Sequence, residues 1–128
     1  MSLKDQIRIL VVDDMSTSRG LIVQALEAMG IKNIQHVASG PEAIAVLGRT
    51  PAHLVLSDFN MPEMDGIQLL QHLRGDPKTK GIGFILITGK ADKTIVDNGK
   101  ALGMNNFIKK PFGPQELQSC LEAVVGRL

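Results

Sequence analysis

Three short stretches of the chain, residues 9–12, 54–56 and 84–87, are continuously apolar and rich in branched side chains. Strands without polar alternation are typical of a parallel sheet that is covered on both faces. Two more polar stretches, residues 34–38 and 106–108, are typical of the exposed edges of a sheet. The pattern therefore predicts five strands, of which three are central and two lie at the edges.

Helical periodicity separates the predicted strands. Apolar residues recur at helical spacing after Ser16 and Thr17, which we expect to cap the first helix. Pro41 and Pro114 stand where a first-turn proline is tolerated. Five glycines stand where the predicted helices should end. Glycine suits a helix end because it adopts the left-handed conformation at little steric cost. These glycines are Gly30, Gly48, Gly75, Gly103 and Gly126.

The fourth predicted helix has the weakest pattern. Ile95, Val96 and Leu102 give only a thin apolar stripe, and Gly99 interrupts the helix at a cost of about 1 kcal/mol relative to alanine. Two interpretations stay open. The segment is either a mobile element or an ordinary surface helix that tolerates a glycine.

This alternation of strands and helices predicts one α/β domain over residues 1–128. Short connections favour right-handed crossovers and a doubly wound, five-stranded parallel sheet. With the polar strands at the edges, the expected order is 2-1-3-4-5, a (βα)5 flavodoxin-like fold. Ligands bind such sheets beyond the carboxyl ends of the strands, here between strands one and three.

Composition narrows the possible partners. The formal net charge is +1 and the basic residues are scattered, which argues against nucleic-acid binding. Cys120 is the only cysteine, so an intramolecular disulfide is excluded and a place on a buried helix face is expected. No apolar run approaches the length of a membrane span. We expect a cytoplasmic, monomeric protein without membrane insertion.

Polar side chains follow the predicted strands at the edge where the crevice should lie. They are Asp13, Asp14, Asp58, Thr88 and Lys110. Three crowded carboxylates repel one another unless a cation neutralises them. Mg²⁺ prefers oxygen ligands and often combines one or two carboxylates with a phosphate. The sequence therefore predicts a Mg²⁺ site that works together with a phosphoryl group.

A carboxylate can attack phosphorus when cationic and hydrogen-bonding groups hold the phosphoryl oxygens. Asp58, the central carboxylate, is the expected nucleophile. Lys110 would hold one phosphoryl oxygen with its charge, and Thr88 another with its hydroxyl. Gly89 has no side chain, which leaves its backbone N–H approachable.

These residues resemble the response-regulator receiver domains, and within that family the single-domain chemotaxis proteins. The resemblance covers essentially the whole chain. It is carried by residues 13–19 (DDMSTSR), 57–66 (SDFNMPEMDG), 88–89 (TG) and 110–112 (KPF). Each motif alone is weak, but the set in this order is highly specific.

The resemblance implies that Asp58 accepts a phosphoryl group from a phosphohistidine of a sensor histidine kinase or a histidine phosphotransfer domain. It implies that Asp14 binds Mg²⁺ directly, Asp13 through water, and Asn60 through its backbone carbonyl, with Asp58 completing the set. The backbone of Asn60 and Gly89 would contact the phosphoryl group.

The resemblance also implies a switch, in which Thr88 follows the phosphoryl group inward and Phe107 changes its packing. It assigns the cationic role to Lys110 rather than Lys109, because the family lysine directly precedes proline. The bond from Lys110 to Pro111 is expected to be cis.

The output surface implied by the family comprises the fourth helix, the fifth strand and the fifth helix. A flagellar motor switch protein is one candidate partner. However, Phe107 stands where the chemotaxis proteins usually carry tyrosine, so no phenolic hydrogen bond is available there. A phosphate sink or relay intermediate without motor binding is the alternative. Lys90 and Asn60 occupy positions that tune dephosphorylation in the family, and two roles for Lys90, phosphoryl contact or solvation, stay open.

Two other function classes fit less well. An aspartyl-phosphate phosphatase would need a second acid two residues after its nucleophile, where this chain has Asn60. A nucleotide-binding domain would need a glycine-rich phosphate loop, which is absent from the sequence. We therefore expect a binding module that phosphorylates and dephosphorylates only itself, not an enzyme.

Overall fold

The computed structural model describes residues 2–89 and 93–128. Its centre is a parallel sheet of five strands in the order β2-β1-β3-β4-β5, which confirms the predicted doubly wound fold. The strands are β1 (Arg8–Val12), β2 (Asn33–Val37), β3 (Leu54–Asp58), β4 (Gly83–Thr88) and β5 (Asn106–Lys109). Every predicted strand is present, with bounds extended by one or two residues or shifted by one.

Six helices occur among the described residues. They are α1 (Leu3–Gln6), α2 (Ser16–Ala28), α3 (Gly40–Leu47), α4 (Gly66–Gly75), α5 (Lys93–Ala101 of the described residues) and α6 (Pro114–Val125). The five longer helices were predicted. The four-residue α1 was not, because so short a segment shows no helical period.

Apolar side chains form a separate cluster on each face of the sheet. One cluster joins β1, β3 and β4 to α2 and α6, and includes Leu26 and Leu121. The other joins the same central strands to α3 and α4, and includes Ala43 and Leu70. Burial on both faces explains why the central strands show no polar alternation.

Helix ends agree only in part with the sequence prediction. Gly30, Gly103 and Gly126 have positive φ angles, as predicted for left-handed helix stops. The helices also end as predicted at Gly48, the C-cap of α3, and at Gly75, the last residue of α4, but neither glycine has the positive φ of a left-handed stop. Both keep conformations that any residue can adopt.

The predicted cap at Ser16 and Thr17 was also wrong. Met15 occupies the N-cap position of α2, and its side chain makes no capping hydrogen bond. Instead, the Asp13 carboxylate accepts the Met15 backbone N–H at 3.0 Å. The start of α2 is therefore tied to the end of β1.

Gly99 lies buried in α5. A Cβ at this position would lie 2.7 Å from the Met104 sulfur. The glycine therefore allows close packing of α5 on the following loop, a reason that the apolar pattern alone does not reveal. None of the described helices has both the length and the apolar character needed to cross a bilayer.

Candidate functional site

Three carboxylates meet at the carboxyl edge of the sheet. Asp58 is the last residue of β3, and Asp13 and Asp14 directly follow β1. Val12 pairs with Ser57 in the parallel register, which brings the two strand ends side by side. One oxygen from each carboxylate lies within 4.8 Å of the others. Asp13 and Asp58 are buried at 0% and 7% exposure, whereas Asp14 is exposed.

The Asp13 carboxylate is held in one orientation. Asp13 Oδ1 accepts a hydrogen bond from the Met15 N–H. The backbone carbonyl of Asp13 accepts one from Arg19 Nη1 at 2.8 Å. Among the described residues, the buried Oδ2 atom has no hydrogen-bond partner. A buried carboxylate oxygen without a partner is costly in a protein interior. This oxygen is therefore a natural ligand for a cation.

Lys110 brings a positive charge to these carboxylates. Its Nζ lies 3.4 Å from Asp58 Oδ1 and 3.6 Å from Asp13 Oδ2. Its backbone N–H donates to the Thr88 carbonyl at 2.8 Å, which anchors the residue at the end of β4. Lys109 is exposed. The Lys110–Pro111 peptide bond is cis, as the resemblance implied.

Burial raises the pKa of the Asp58 carboxyl above its ordinary value. The Lys110 ammonium lowers this pKa in part, while the negative charges of Asp13 and Asp14 raise it again. One ammonium thus faces three carboxylates. The donor set, its burial and the unpartnered Asp13 Oδ2 fit a hard divalent cation such as Mg²⁺.

The other predicted site residues lie around this pocket at different depths. Thr88 ends β4 and is buried at 2% exposure. Asn60 is exposed in the loop after β3. Gly89 is exposed, and a Cβ there would meet none of the described atoms within 4 Å, so the space beside its backbone is open. Lys90 lies outside the described residues.

Phe107 lies apart from the carboxylates. It is half-buried in β5, where it pairs in register with Leu86. Its side chain packs against the apolar cluster that also receives Ile95 and Val96 of α5. It therefore lies on the same face of the sheet as Ile95 and Val96, the face away from α2.

Sequence reasoning missed Ser18. Its hydroxyl accepts a hydrogen bond from Lys110 Nζ at 2.9 Å, across 92 positions of the chain. Ser18 falls within the motif that follows Asp13 and Asp14, but no apolar period or strand end marks it. Only the packing of α2 beside the end of β5 brings the two residues together.

Comparisons with known proteins agree with this geometry. The sequence profile described as "Response regulator receiver domain" matches residues 9–122. A "Probable chemotaxis protein CheY" from Rhizobium etli is 42% identical over 128 residues, which is 100% of this chain and 99% of the relative.

Solved structures are similar over most of the chain. The chemotaxis response regulator CheY4 of Vibrio cholerae superposes with a TM-score of 0.85 at 27% identity, covering 92% of this chain and 98% of the other. The receiver domain of a sensor histidine kinase from Pseudomonas aeruginosa gives 0.84 at 27% identity, covering 94% and 98%. That structure is described with a magnesium ion coordinated in its active-site cleft.

Proposed function

Because the chain belongs to the response regulator receiver domain family, we propose that Asp58 is its phosphoacceptor. The donor is a phosphohistidine of a sensor histidine kinase or of a histidine phosphotransfer domain. An Asp58 carboxylate oxygen attacks phosphorus, the phosphorus–nitrogen bond breaks, and the imidazole leaves with the bonding electron pair. The observation that carries this proposal is the buried Asp58 carboxylate beside Lys110 Nζ at 3.4 Å.

The neighbouring groups hold the phosphoryl oxygens as charge spreads over them. Thr88, at the end of β4, supplies a hydroxyl, and Lys110, directly after β5, supplies an ammonium. The backbone N–H groups of Asn60 and Gly89 supply further donors. Preorganised donors of this kind need little rearrangement during the reaction.

Asp13, Asp14, Asp58 and the carbonyl of Asn60 would hold a Mg²⁺ ion. When bound, the ion supplies positive charge that neutralises the crowded carboxylates and the transferring phosphoryl group. The buried Asp13 Oδ2, which has no hydrogen-bond partner among the described residues, supports this assignment. Asp13 and Asp14 serve only as ligands, which leaves Asp58 to form the covalent bond.

We propose that the output is phosphorylation-dependent binding of a partner in chemotaxis. The chain acts as a single receiver domain over residues 1–128, in the cytoplasm and as a monomer. The names of the relatives from Rhizobium etli and Vibrio cholerae support this assignment. Thr88 and Phe107 form the switch, and a flagellar motor switch protein is the proposed partner. The chain acts on no released substrate and is not an enzyme in that sense.

One observation favours a second candidate function. Phe107 packs as an apolar ring in the cluster beside α5 and offers no hydroxyl to a partner. A phosphate sink, which draws phosphate from a kinase without binding a motor, needs no such hydroxyl. The lifetime of the aspartyl phosphate and a screen of motor-switch and phosphotransfer partners separate the two functions. A short lifetime together with no motor-switch binding identifies the sink.

Incubation with a small-molecule phosphodonor tests the proposal. Wild type should gain the mass of one phosphoryl group when Mg²⁺ is present and much less when it is chelated. Asp58→Asn should gain none, and Asp5→Asn, at an exposed ion pair with Lys32, should behave as wild type. No mass gain by wild type, or an equal gain by Asp58→Asn, contradicts the proposal.

A further inference from the structure

Within the part of the chain that the structure describes, three oxygens contact the Lys110 ammonium, which carries three N–H donors. The shortest contact, 2.9 Å, is with the neutral hydroxyl of Ser18. The contacts with Asp58 Oδ1 and Asp13 Oδ2 are longer, at 3.4 and 3.6 Å. Charge-assisted hydrogen bonds between ammonium and carboxylate usually measure about 2.7–2.9 Å. The ammonium therefore lies closer to the Ser18 hydroxyl, the weaker acceptor, than to either charged carboxylate.

The position of Ser18 is fixed by the packing of its helix. Ile22 and Leu26, on the following turns of α2, are buried in the cluster that covers one face of the sheet. Ser18 itself is half-buried. Its hydroxyl is thus supplied from a helix that is held by its apolar packing as well as by the Asp13 carboxylate at its first turn.

We propose that Ser18 is a positioning residue that holds the Lys110 ammonium off Asp13 and Asp58, so that their oxygens remain available to a divalent cation. The proposal rests on the cation site proposed above. Asp13 Oδ2 decides whether Ser18 strengthens or weakens cation binding. This oxygen is buried and has no hydrogen bond among the described residues, although an ammonium lies 3.6 Å away. Without the Ser18 hydroxyl, attraction between opposite charges at low dielectric would draw the ammonium onto this oxygen.

Mg²⁺ affinity, measured by calorimetry or by amide NMR shifts with the metal alone, tests the proposal. Ser18→Ala should weaken binding by roughly tenfold, a size typical of coupling between contacting residues. Ser18→Thr keeps the hydroxyl and should restore most of the affinity. Ser16→Ala is the matched control, because Ser16 is exposed and residues two apart on a helix do not share a face.

The Lys110→Met background shows whether Ser18 acts through the lysine. There, Ser18→Ala should leave the Mg²⁺ affinity unchanged, because no ammonium remains to be positioned. An equal loss of affinity in both backgrounds overturns the proposal. So does unchanged or tighter Mg²⁺ binding by Ser18→Ala in the otherwise wild-type chain.

Metal-free crystal structures of wild type and Ser18→Ala give a readout that needs no cation. The distance from Lys110 Nζ to Asp13 Oδ2 should shorten to hydrogen-bond length in the variant, and an unchanged distance overturns the proposal. Failure of the proposed cation site is distinguishable, because wild type would then bind no Mg²⁺ at all. Mg²⁺ binding by wild type with no effect of Ser18→Ala removes the positioning role alone.

Discussion

Ionisation of the Asp58 carboxyl destabilises the folded chain. Its place at the end of the fully buried strand β3 removes the carboxylate from water, and burial raises its pKa above the value in the unfolded chain. As pH rises, the unfolded chain therefore ionises first, and the folded chain loses stability until Asp58 itself ionises. Burial of the ionised Asp58 carboxylate thus lowers the stability of the metal-free fold.

Asp58→Asn should accordingly stabilise the metal-free chain at neutral pH, by about 1 kcal/mol. The gain should be absent below the ordinary pKa of aspartate, where both states are protonated, should grow between that pKa and the raised pKa of Asp58, and should stay constant above it. Urea unfolding at a series of pH values in the presence of a chelator measures it.

Asp5→Asn is the control for charge removal. The hydrogen bond and charge of Lys32 lower the pKa of this exposed carboxyl, so the substitution should bring no gain in stability. A gain of the same size in both variants, or a gain at Asp58 that does not change with pH, contradicts the assigned cause.

The carboxylates and Lys110 could be predicted from sequence because each follows a recognisable strand, and parallel strands place their ends at one edge. Ser18 could not be predicted in this way. Its contact depends on the rotation of α2 about its own axis and on the path of the chain after β5. Neither is encoded in local hydrophobic periodicity.

At the scale of elements, α4 begins against the site. A Cβ on Gly66, its first residue, would lie 2.6 Å from the backbone oxygen of Asp58 and 2.7 Å from Leu86. Gly66→Ala should therefore destabilise the chain by about 1–3 kcal/mol and slow phosphorylation, since the backbone of Asp58 must move. Urea unfolding and the rate of mass gain measure the two effects.

Two other helical glycines serve as comparisons for Gly66. Gly20→Ala, where nothing lies within 4 Å, should stabilise the chain by about 1 kcal/mol through helix propensity. Gly99→Ala should be near neutral, because the clashing atom belongs to the flexible Met104 side chain. Equal effects at all three positions would contradict the steric account.

Arg74 joins three segments at the end of α4. Its guanidinium donates to the carbonyls of Lys80 at 3.0 Å, Ile82 at 2.7 Å and Gly103 at 2.9 Å, and to Asn105 Oδ1 at 3.1 Å. Arg74→Ala should cost about 1.5–3 kcal/mol, and Arg74→Lys should recover little because it lacks the planar fork. Full recovery by lysine in urea unfolding would show that charge alone matters.

The elements themselves were largely predictable, because central strands buried on both faces and helices with one apolar face leave distinct periods. The start of α2 was not. Its first turn is held by the Asp13 carboxylate rather than by a local Ser or Thr, so a carboxylate of the candidate site replaces the usual cap. The close packing of Gly99 on Met104 could not be predicted from the apolar periodicity of the sequence either.

At the scale of the whole molecule, the carboxylates and Phe107 lie on different parts of the sheet. Asp13 and Asp14 follow β1 and Asp58 ends β3. Phe107 on β5, like Ile95 and Val96 of α5, packs against the cluster on one face. The proposed switch therefore requires a signal that crosses β4, where Thr88 ends the strand. A change in packing that both sites bias is the physical requirement for such coupling.

Loading the site with Mg²⁺ and beryllium trifluoride, a phosphoryl mimic, should shift the ring resonances of Phe107 more than those of Phe84. Phe84 is fully buried in β4, near the opposite end of the strand from Thr88, and serves as the control. An unchanged Phe107 with the site fully occupied would contradict its role as a switch.

The central claim is that Asp58 itself carries the phosphoryl group. Borohydride reduction of the phosphorylated chain, followed by peptide mass spectrometry, tests this most directly because it marks an acyl phosphate but leaves a phosphoserine unreduced. The account predicts one reduced residue, at Asp58, with Ser57, Asp13 and Asp14 unmodified. A mark at Asp13 or Asp14, or a phosphate on Ser57, would contradict it.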